Sequence, residues 1–468
     1  MKIRVIGAAG GEVTGSAYLV QTKRANVLVD CGSFQGGRTA EAKNRPPTRP
    51  STKLDAVVVT HGHLDHTGRL PLLPKLGFQG PVYATPATVD MAALILRDSA
   101  RLQAMDTQRQ NRKRARAGEL PIEALYTPED AEAIIGQLAP APYRRPLLIA
   151  PGVRAYFAEA GHMLGSASVQ LLVVDDDGRE KRVVFSGDLG PTGVPIQRNF
   201  EAFHQADAVF LECTYGDHDH RPFRETAEEF IGIVKKAVET RGKILIPTFA
   251  VGRAQLLTAL LSWAFRNKRV TPFPLFLDSP MAIEATRLYV RYFLKDPELF
   301  DETLLKYLRQ KPMREDLKTL KATVTAGESK AINDCPGPCL VMAGAGMCTG
   351  GRILHHFKEN LWRPETHVVM VGYQGRGSLG RRLVDGAERV SIFGEKIAVC
   401  AQVHTLGGFS AHAGQTDLLK WFGAIAPSKP HVVLIHGEDG PRQALATQIR
   451  QRHGLSPSLP KQGDVIEL

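Results

Sequence analysis

His61-Gly62-His63-Leu64-Asp65-His66 sets three imidazoles and a carboxylate into six residues, directly after the apolar run Ala56-Val57-Val58-Val59. Imidazole and carboxylate bind divalent metals of borderline softness, and a catalytic zinc keeps a position open beside such ligands. His61 and His63, two apart, can chelate one ion from a tight loop. Asp65 and His66 are then directed elsewhere and can serve a neighbouring ion. A polar loop rich in histidine by chance is the alternative. So dense a cluster at a strand end suits a metal site far better, and it implies a metal-dependent hydrolase.

His-x-His-x-Asp-His after an apolar strand resembles the metallo-β-lactamase superfamily. In that family an Asp at an earlier strand end precedes the motif, and Asp30 in Val27-Leu28-Val29-Asp30-Cys31-Gly32 fits. A later single His fits as His162, in Ala160-Gly161-His162-Met163-Leu164-Gly165-Ser166, and a bridging Asp as Asp188, in Val184-Phe185-Ser186-Gly187-Asp188. Alone, a His after Gly is an ordinary loop residue and Ser-Gly-Asp an ordinary turn. Their order along the chain is what gives them weight.

Further stretches narrow the resemblance. Leu211-Glu212-Cys213-Thr214-Tyr215-Gly216, Gly407-Gly408-Phe409-Ser410-Ala411-His412-Ala413-Gly414 and Val433-Leu434-Ile435-His436-Gly437-Glu438 look like the three added motifs of the β-CASP group, the nucleic-acid-processing branch. The likeness spans essentially the whole chain, including Gly346-Met347-Cys348-Thr349-Gly350-Gly351-Arg352 and Gly372-Tyr373-Gln374. A His at the last motif position, His436, is the pattern of RNA-acting members. The resemblance implies an α/β fold: an αββα metallo-β-lactamase sandwich with an inserted parallel α/β β-CASP domain that roofs the cleft.

On that resemblance His61, His63 and His162 hold one metal, Asp65, His66 and His436 the other, and Asp188 bridges them. Such a pair lowers the pKa of a bridging water and stabilises both oxygens of an in-line phosphoryl displacement. Asp30 orients a ligand imidazole through its other ring nitrogen. His412 supplies the leaving group's proton as general acid, with Glu212 as its carboxylate partner. Ser410 and the small residues around it, Ala413 among them, let backbone amides approach a substrate phosphate. Arg352 and Arg376 are further candidate phosphate contacts.

Composition agrees. A chain of 468 residues accommodates two domains with sizeable cores, and its formal net charge of +11 favours a polyanionic partner. Arg109, Arg112, Lys113, Arg114 and Arg116 form the densest basic run. A solvated helix face is the plain reading of such a run; tracking of phosphates is the sharper one. The six cysteines lack a Cys-x-x-Cys pair, although Cys335 and Cys339 flank Pro336-Gly337-Pro338. Reduced thiols in a cytoplasmic protein are expected. The N-terminus has no apolar signal region and no span approaches transmembrane length. The chain ends soon after the last motif, at Leu468, which leaves little room for an appended RNA-binding or oligomerisation domain.

Short strands dominate to about residue 210, with a helical stretch over about 90–140 broken at Pro121 and Pro128. Strand–helix alternation follows: a helix near Glu225–Glu239, a strand at Ile244–Pro247, a helix over Ala254–Phe265, a strand at Leu275–Leu277 and a helix over Ala282–Phe293. This is the pattern of a parallel α/β unit. The expected domains are 1–210 with 390–468, and an insertion at 211–389. Asp175-Asp176-Asp177-Gly178 reads as a hairpin turn rather than a calcium loop. Gly375-Arg376-Gly377-Ser378-Leu379-Gly380 matches a dinucleotide fingerprint, but the chain around Glu395 does not complete such a unit. Arg376, Arg381 and Arg382 there suit either phosphate approach or a tight basic turn.

The expectation is a two-zinc ribonuclease, with manganese an alternative metal, that hydrolyses phosphodiesters of single-stranded RNA as an endonuclease, a 5′ exonuclease or both. A DNA nuclease of the same group, a small-molecule hydrolase and a non-catalytic RNA-binding scaffold are the rivals. No membrane partner is expected, and a homo-oligomer stays open.

Overall fold

The computed structural model describes residues 1–45, 53–174, 178–372, 374–375 and 377–468. The turn read at Asp175–Asp177, and with it Tyr373 and Arg376, lies outside the described residues. The chain divides into two compact units. The first comprises Met1–Thr192, Asn199–Asp219 and His412–Leu468, and the second Gly193–Arg198 and His220–Ala411.

Two sheets face each other in the first unit. One runs, in spatial order, Val465–Glu467, Lys2–Val5, Tyr18–Gln21, Asn26–Val29, Ala56–Val58, Val82–Ala84 and Leu138–Pro140; the other runs His431–Ile435, Ala208–Glu212, Glu180–Phe185, Ala167–Val174, Val153–Glu159 and Leu147–Ala150. Alternate side chains of a strand point to opposite faces, so both faces of these apolar strands need cover. Between the sheets, Val5, Val20, Val27, Val29 and Val58 of one meet Phe157, Val169, Leu171, Phe185 and Phe210 of the other. Helices cover the outer faces. Leu70, Leu73, Leu96 and Ile134 close over Leu28 and Val57, while Leu418, Trp421 and Phe422 close over Val184, Val209 and Leu211. The layers are therefore αββα.

Local chemistry starts the helices where they are needed. Pro86 opens the helix Pro86–Arg116, whose N-cap Thr85 accepts from the Thr88 amide at 3.3 Å. The helical stretch read over 90–140 is two helices, this one and Pro128–Ile135, with Pro128 in the first turn of the second.

The second unit carries a six-stranded parallel sheet in the order Leu320–Ala322, Leu275–Asp278, Cys339–Ala343, Lys243–Pro247, His367–Met370 and Gln402–Thr405. The helices Phe223–Glu239, Arg253–Arg266 and Pro280–Lys295 alternate with its strands. The division falls near residues 220 and 412, not at 211 and 390. Strand Ala208–Glu212 belongs to the first unit because it pairs in parallel with both Glu180–Phe185 and His431–Ile435. Gln402–Thr405 belongs to the second because it pairs with His367–Met370. No described helix is long and apolar enough to cross a membrane, and all six cysteines are free.

Trp421 is fully buried, and its indole Nε1 donates to the Glu201 carbonyl at 3.1 Å. Trp421→Ala leaves a cavity under the second sheet, and a loss of about 3–5 kcal/mol is expected in urea unfolding of the first unit. A midpoint equal to that of the wild type would contradict this account of the layer.

Candidate metal centre

Every candidate ligand follows the C-terminal end of a strand. Asn26–Val29 and Ala56–Val58 run parallel, which sets Asp30 beside Thr60 and the histidine loop. In the other sheet Glu180–Phe185, Ala208–Glu212 and His431–Ile435 run parallel, and their ends deliver Asp188, Glu212 and His436. Val153–Glu159 has the same direction through two antiparallel pairings, so His162 emerges at the same edge. The backbones approach closely there. A Cβ on Gly32 would lie 1.5 Å from the Asp65 carbonyl oxygen, and one on Gly190 would lie 1.9 Å from that of Gly161. Glycine is required at both positions.

Donor atoms fall into two groups that share one residue. His61, His63, His162 and Asp188 form one and Asp65, His66, Asp188 and His436 the other, with the donors of each within 4.8 Å of one another. Asp188 Oδ2 lies 3.4 Å from His61 Nε2 and 3.6 Å from His162 Nε2. Its Oδ1 lies 3.2 Å from His66 Nε2 and 3.6 Å from His436 Nε2. His436 Nε2 is also 3.6 Å from Asp65 Oδ2.

This arrangement fits cations. His61 Nε2 and Asp188 Oδ1 are buried without a hydrogen-bond partner among the described residues. Ring nitrogens also face each other at 3.1 Å between His63 and His162, and at 3.3 Å between His66 and His436. Lone pairs so directed converge on positions that suit a positive charge, and leaving them unsatisfied in a protein interior is costly.

Behind the donors sits a layer of orienting contacts. Asp30, at φ 58°, accepts from His66 Nδ1 at 2.7 Å, the Thr60 amide at 2.8 Å and the Thr60 hydroxyl at 2.9 Å. Thr60 Oγ1 is also 3.1 Å from His61 Nδ1, and Thr214 Oγ1 is 3.1 Å from His436 Nδ1. Each contact occupies Nδ1 and turns Nε2 inward. Neither threonine stands out in the sequence as functional, although Thr60 directly precedes His61 and Thr214 lies inside a motif. A threonine carries no ligand signature, and its use at this centre depends on where other strands bring their imidazoles.

Glu212 and His412 form a third group with Asp188. Glu212 is fully buried; its Oε1 accepts from the Leu189 amide at 2.8 Å and its Oε2 from the Thr214 amide at 3.1 Å. His412 Nδ1 lies 3.3 Å from Glu212 Oε1 and 3.9 Å from Asp188 Oδ2.

The electrostatics divide the histidines. Burial pushes His61 and His63 below the ordinary imidazole range, His61 further, with the charge of His66 acting in the same direction. Burial opposes protonation of His66 and His412 as well, but carboxylates outweigh it. Asp188 and Asp30 raise His66, while Glu212 and Asp188 lift His412 to about 9. Burial likewise opposes ionisation of the two aspartates. The hydrogen bond from His436 brings Asp65 down to about 2, and the imidazoles of His436, His66 and His61 hold Asp188 well below the carboxylate range.

Several candidate phosphate contacts are otherwise engaged. Arg352 Nη1 donates to Asp278 Oδ1 at 2.6 Å and to the Thr323 carbonyl at 2.9 Å, so this guanidinium ties the second unit's own loops together. The Ser410 amide donates to Gly407 at 3.0 Å and the Ala413 amide to Leu189 at 2.7 Å. Both amides already have a backbone acceptor, Ser410 within its own turn and Ala413 across to the distant Leu189 segment. Arg376 lies outside the described residues. Arg381 pairs with Asp385 at 2.9 Å and Arg382 donates to the Arg389 carbonyl at 3.3 Å, in favour of the tight basic turn. Glu395 lies on an antiparallel hairpin and pairs with Lys358, so no dinucleotide unit is present there.

Comparison with known proteins agrees with this architecture. Residues 10–248 match the Metallo-beta-lactamase superfamily, residues 254–383 the Beta-Casp domain, and residues 396–460 the Zn-dependent metallo-hydrolase RNA specificity domain. The chain is 42% identical to a ribonuclease of Thermus thermophilus, with 100% of both chains covered. It is 31% identical to a transcription termination factor of Thermococcus kodakarensis, over 100% of this chain and 71% of that protein. A crystal structure of a protein of unknown function from Enterococcus faecalis V583 aligns with a TM-score of 0.54 at 13% identity, covering 100% of this chain and 99% of that one. This last likeness concerns the fold alone.

The orienting layer is open to test. Asp30→Asn and Thr60→Val leave every direct donor in place, and each is expected to weaken metal affinity about 10–100-fold in chelator competition. Wild-type affinity in both variants would mean that these contacts serve only the fold.

Proposed function

The chain belongs to the metallo-β-lactamase superfamily, in the branch that carries a Beta-Casp and an RNA specificity domain, and on that premise we propose that it is a metal-dependent ribonuclease hydrolysing phosphodiesters of single-stranded RNA with two zinc ions. The observation that carries this reading is the pair of donor groups sharing Asp188, with the Glu212–His412 pair directly beside them. A complete donor set disfavours a scaffold that only binds RNA, and His436 favours RNA over DNA. The ribonuclease relative, identical over 42% of aligned positions, supports the substrate. Free cysteines fit a reducing compartment, and we place the chain in the cytoplasm.

In this reading His61, His63 and His162 hold one cation and Asp65, His66 and His436 the other, with Asp188 shared. Five imidazoles against two carboxylates favour zinc over manganese. When bound, such a pair supplies Lewis-acid charge that acidifies water and offsets the negative charge of a phosphoryl group. The remaining work falls to the protein's own side chains. Asp30 and Thr60 hold His66 and His61 in the tautomer that turns Nε2 inward, and Thr214 does the same for His436.

Hydrolysis joins a water oxygen to phosphorus and breaks the bond from phosphorus to a ribose oxygen, which then needs a proton. His412 provides it. Its Nδ1–H is donated to Glu212, so the proton handed to the leaving oxygen comes from Nε2. Glu212 is itself anchored by the Leu189 and Thr214 amides, which keeps the imidazole oriented. With His412 lifted to about 9, the acid stays loaded through neutral pH and is lost as the pH rises past that value.

The test uses 5′-labelled and 3′-labelled single-stranded RNA, with wild type and His412→Ala both assayed for metal. Cleavage by the wild type is expected to fall about 100–10,000-fold in a variant that keeps its metals, and the label pattern gives the polarity. A fully metallated wild type that cuts DNA or small esters but not RNA would overturn the reading. The pH profile supplies an independent check. Removing the Glu212 charge by Glu212→Gln is expected to move the basic limb of kcat down by about 1–3 pH units. An unmoved limb would mean that Glu212 does not hold the proton on His412.

A further inference from the structure

The helix Pro86–Arg116 begins at the metal centre and leaves it. Near its start, a Cβ on Gly62 would come within 3.4 Å of the Ala92 amide, and Thr88 Oγ1 donates to the Gly165 carbonyl at 2.7 Å beside the His162 loop. At 1.5 Å of rise per residue, Arg109 to Arg116 lie about 25–36 Å farther along the axis.

Two faces separate on this distal half. At 3.6 residues per turn, Leu102, Met105, Arg109, Arg112, Lys113 and Arg116 fall within about 100° of arc. All six are exposed. Gln103, Ala104, Thr107, Asn111 and Arg114 are half-buried on the other side. Asn111 Nδ2 donates to the Ile122 carbonyl at 2.9 Å, and Arg114 Nε donates to the Leu120 carbonyl at 2.6 Å. This inner face docks the following loop, and its one cation is committed to it.

The outer cations behave differently. Arg112, Lys113 and Arg116 form no ion pair among the described residues, and Arg109 reaches only Asp106, at 3.6 Å with its side chain 72% exposed. The helix dipole favours cations in the last turn, which accounts for Lys113 and Arg116. It accounts neither for Arg109 and Arg112 nor for the gathering of all four on one arc. Like charges three and four residues apart destabilise a helix unless a polyanion relieves them. The apolar pair Leu102 and Met105 continues the same arc toward the metal centre rather than forming an opposite face, as a helix lying on a membrane would require.

We infer that this outer face is a track for the phosphates of single-stranded RNA beyond the metal centre, with Arg109, Arg112, Lys113 and Arg116 as its phosphate contacts and Leu102 and Met105 as an apolar footing for bases. The ligand assignment rests on the ribonuclease reading. The track makes affinity depend on RNA length and salt while the chemical step stays unchanged, because none of these side chains touches the reacting phosphate.

The test replaces the four cations together (Arg109→Gln, Arg112→Gln, Lys113→Gln, Arg116→Gln) and sets against them an Arg109→Lys, Arg112→Lys, Arg116→Lys variant that keeps the charge. Binding is read by fluorescence anisotropy in metal-loaded protein carrying His412→Ala, with RNAs of about 5 and about 25 nucleotides. The glutamine variant is expected to bind the long RNA about 10–100-fold more weakly, with a salt slope smaller by about 2–3. It should bind the short RNA as before, and in the wild-type background it should keep kcat at saturating RNA. The lysine variant should track the wild type. An unchanged slope and affinity for the long RNA would overturn the inference, as would an equal loss for both lengths. Failure of the wild type to cleave RNA at all would instead strike the ribonuclease reading, and the binding result would still decide whether the track exists.

Discussion

Asp188 is a carboxylate with almost no access to water, set among imidazoles from four separate segments of the chain. A buried charge is tolerated only where opposite charges or hydrogen bonds replace the solvent it has lost. Around Asp188 the replacement is divided: one oxygen faces His61 and His162, and the other faces His66 and His436. The sandwich edge has to bring these groups to one point, and much of the surrounding structure follows from that demand. Parallel pairing aligns the strand ends, glycines at 32 and 190 let neighbouring loops touch, and Asp30 and Thr60 hold the rings in one orientation.

The same burial sorts otherwise similar side chains into different roles. His61 and His63 are kept neutral, as metal ligation needs, while carboxylates keep His412 charged close by. Glu212 makes that difference. It lies on the strand next to the one leading to Asp188, and two backbone amides hold its carboxylate against His412. Where carboxylates crowd an imidazole, as at His66 and His412, the proton is held, and where burial prevails, as at His61 and His63, it is expelled, so the balance differs over a few ångströms.

Charge at the surface follows a looser logic. Arg352 is basic and sits in a glycine-rich motif, yet its guanidinium is enclosed by Asp278 and two carbonyls and works within its own unit. Arg112 and Lys113 sit in a plain basic run and meet no acid among the described residues. Whether an arginine is structural or available therefore depends on what the fold places opposite it, and motif membership is a poor guide to that.

Much of this protein was legible in its residues. Apolar runs with turn punctuation marked strands such as Ala56–Val58 and Lys243–Pro247, and alternation after Glu212 marked the parallel unit, because burial periodicity is written locally. His61, His63, Asp65 and His66 announced a metal loop by their density, and the order of Asp30, His162, Asp188, Glu212, His412 and His436 matched a known family. Tertiary structure alone decided the rest. The hand-over near 412 rather than 390 turned on which sheet edge Gln402–Thr405 joined, and a short strand carries no record of its neighbour. The use of Thr60 and Thr214, the engagement of the Ser410 and Ala413 amides, and the opposite fates of Arg352 and Arg112 were also settled in three dimensions. The sequence by itself determined which groups could bind a metal or donate a proton, since that is a property of the side chain. Which of them do so depends on distances between residues far apart in the chain, and only the folded packing of both sheets sets those distances.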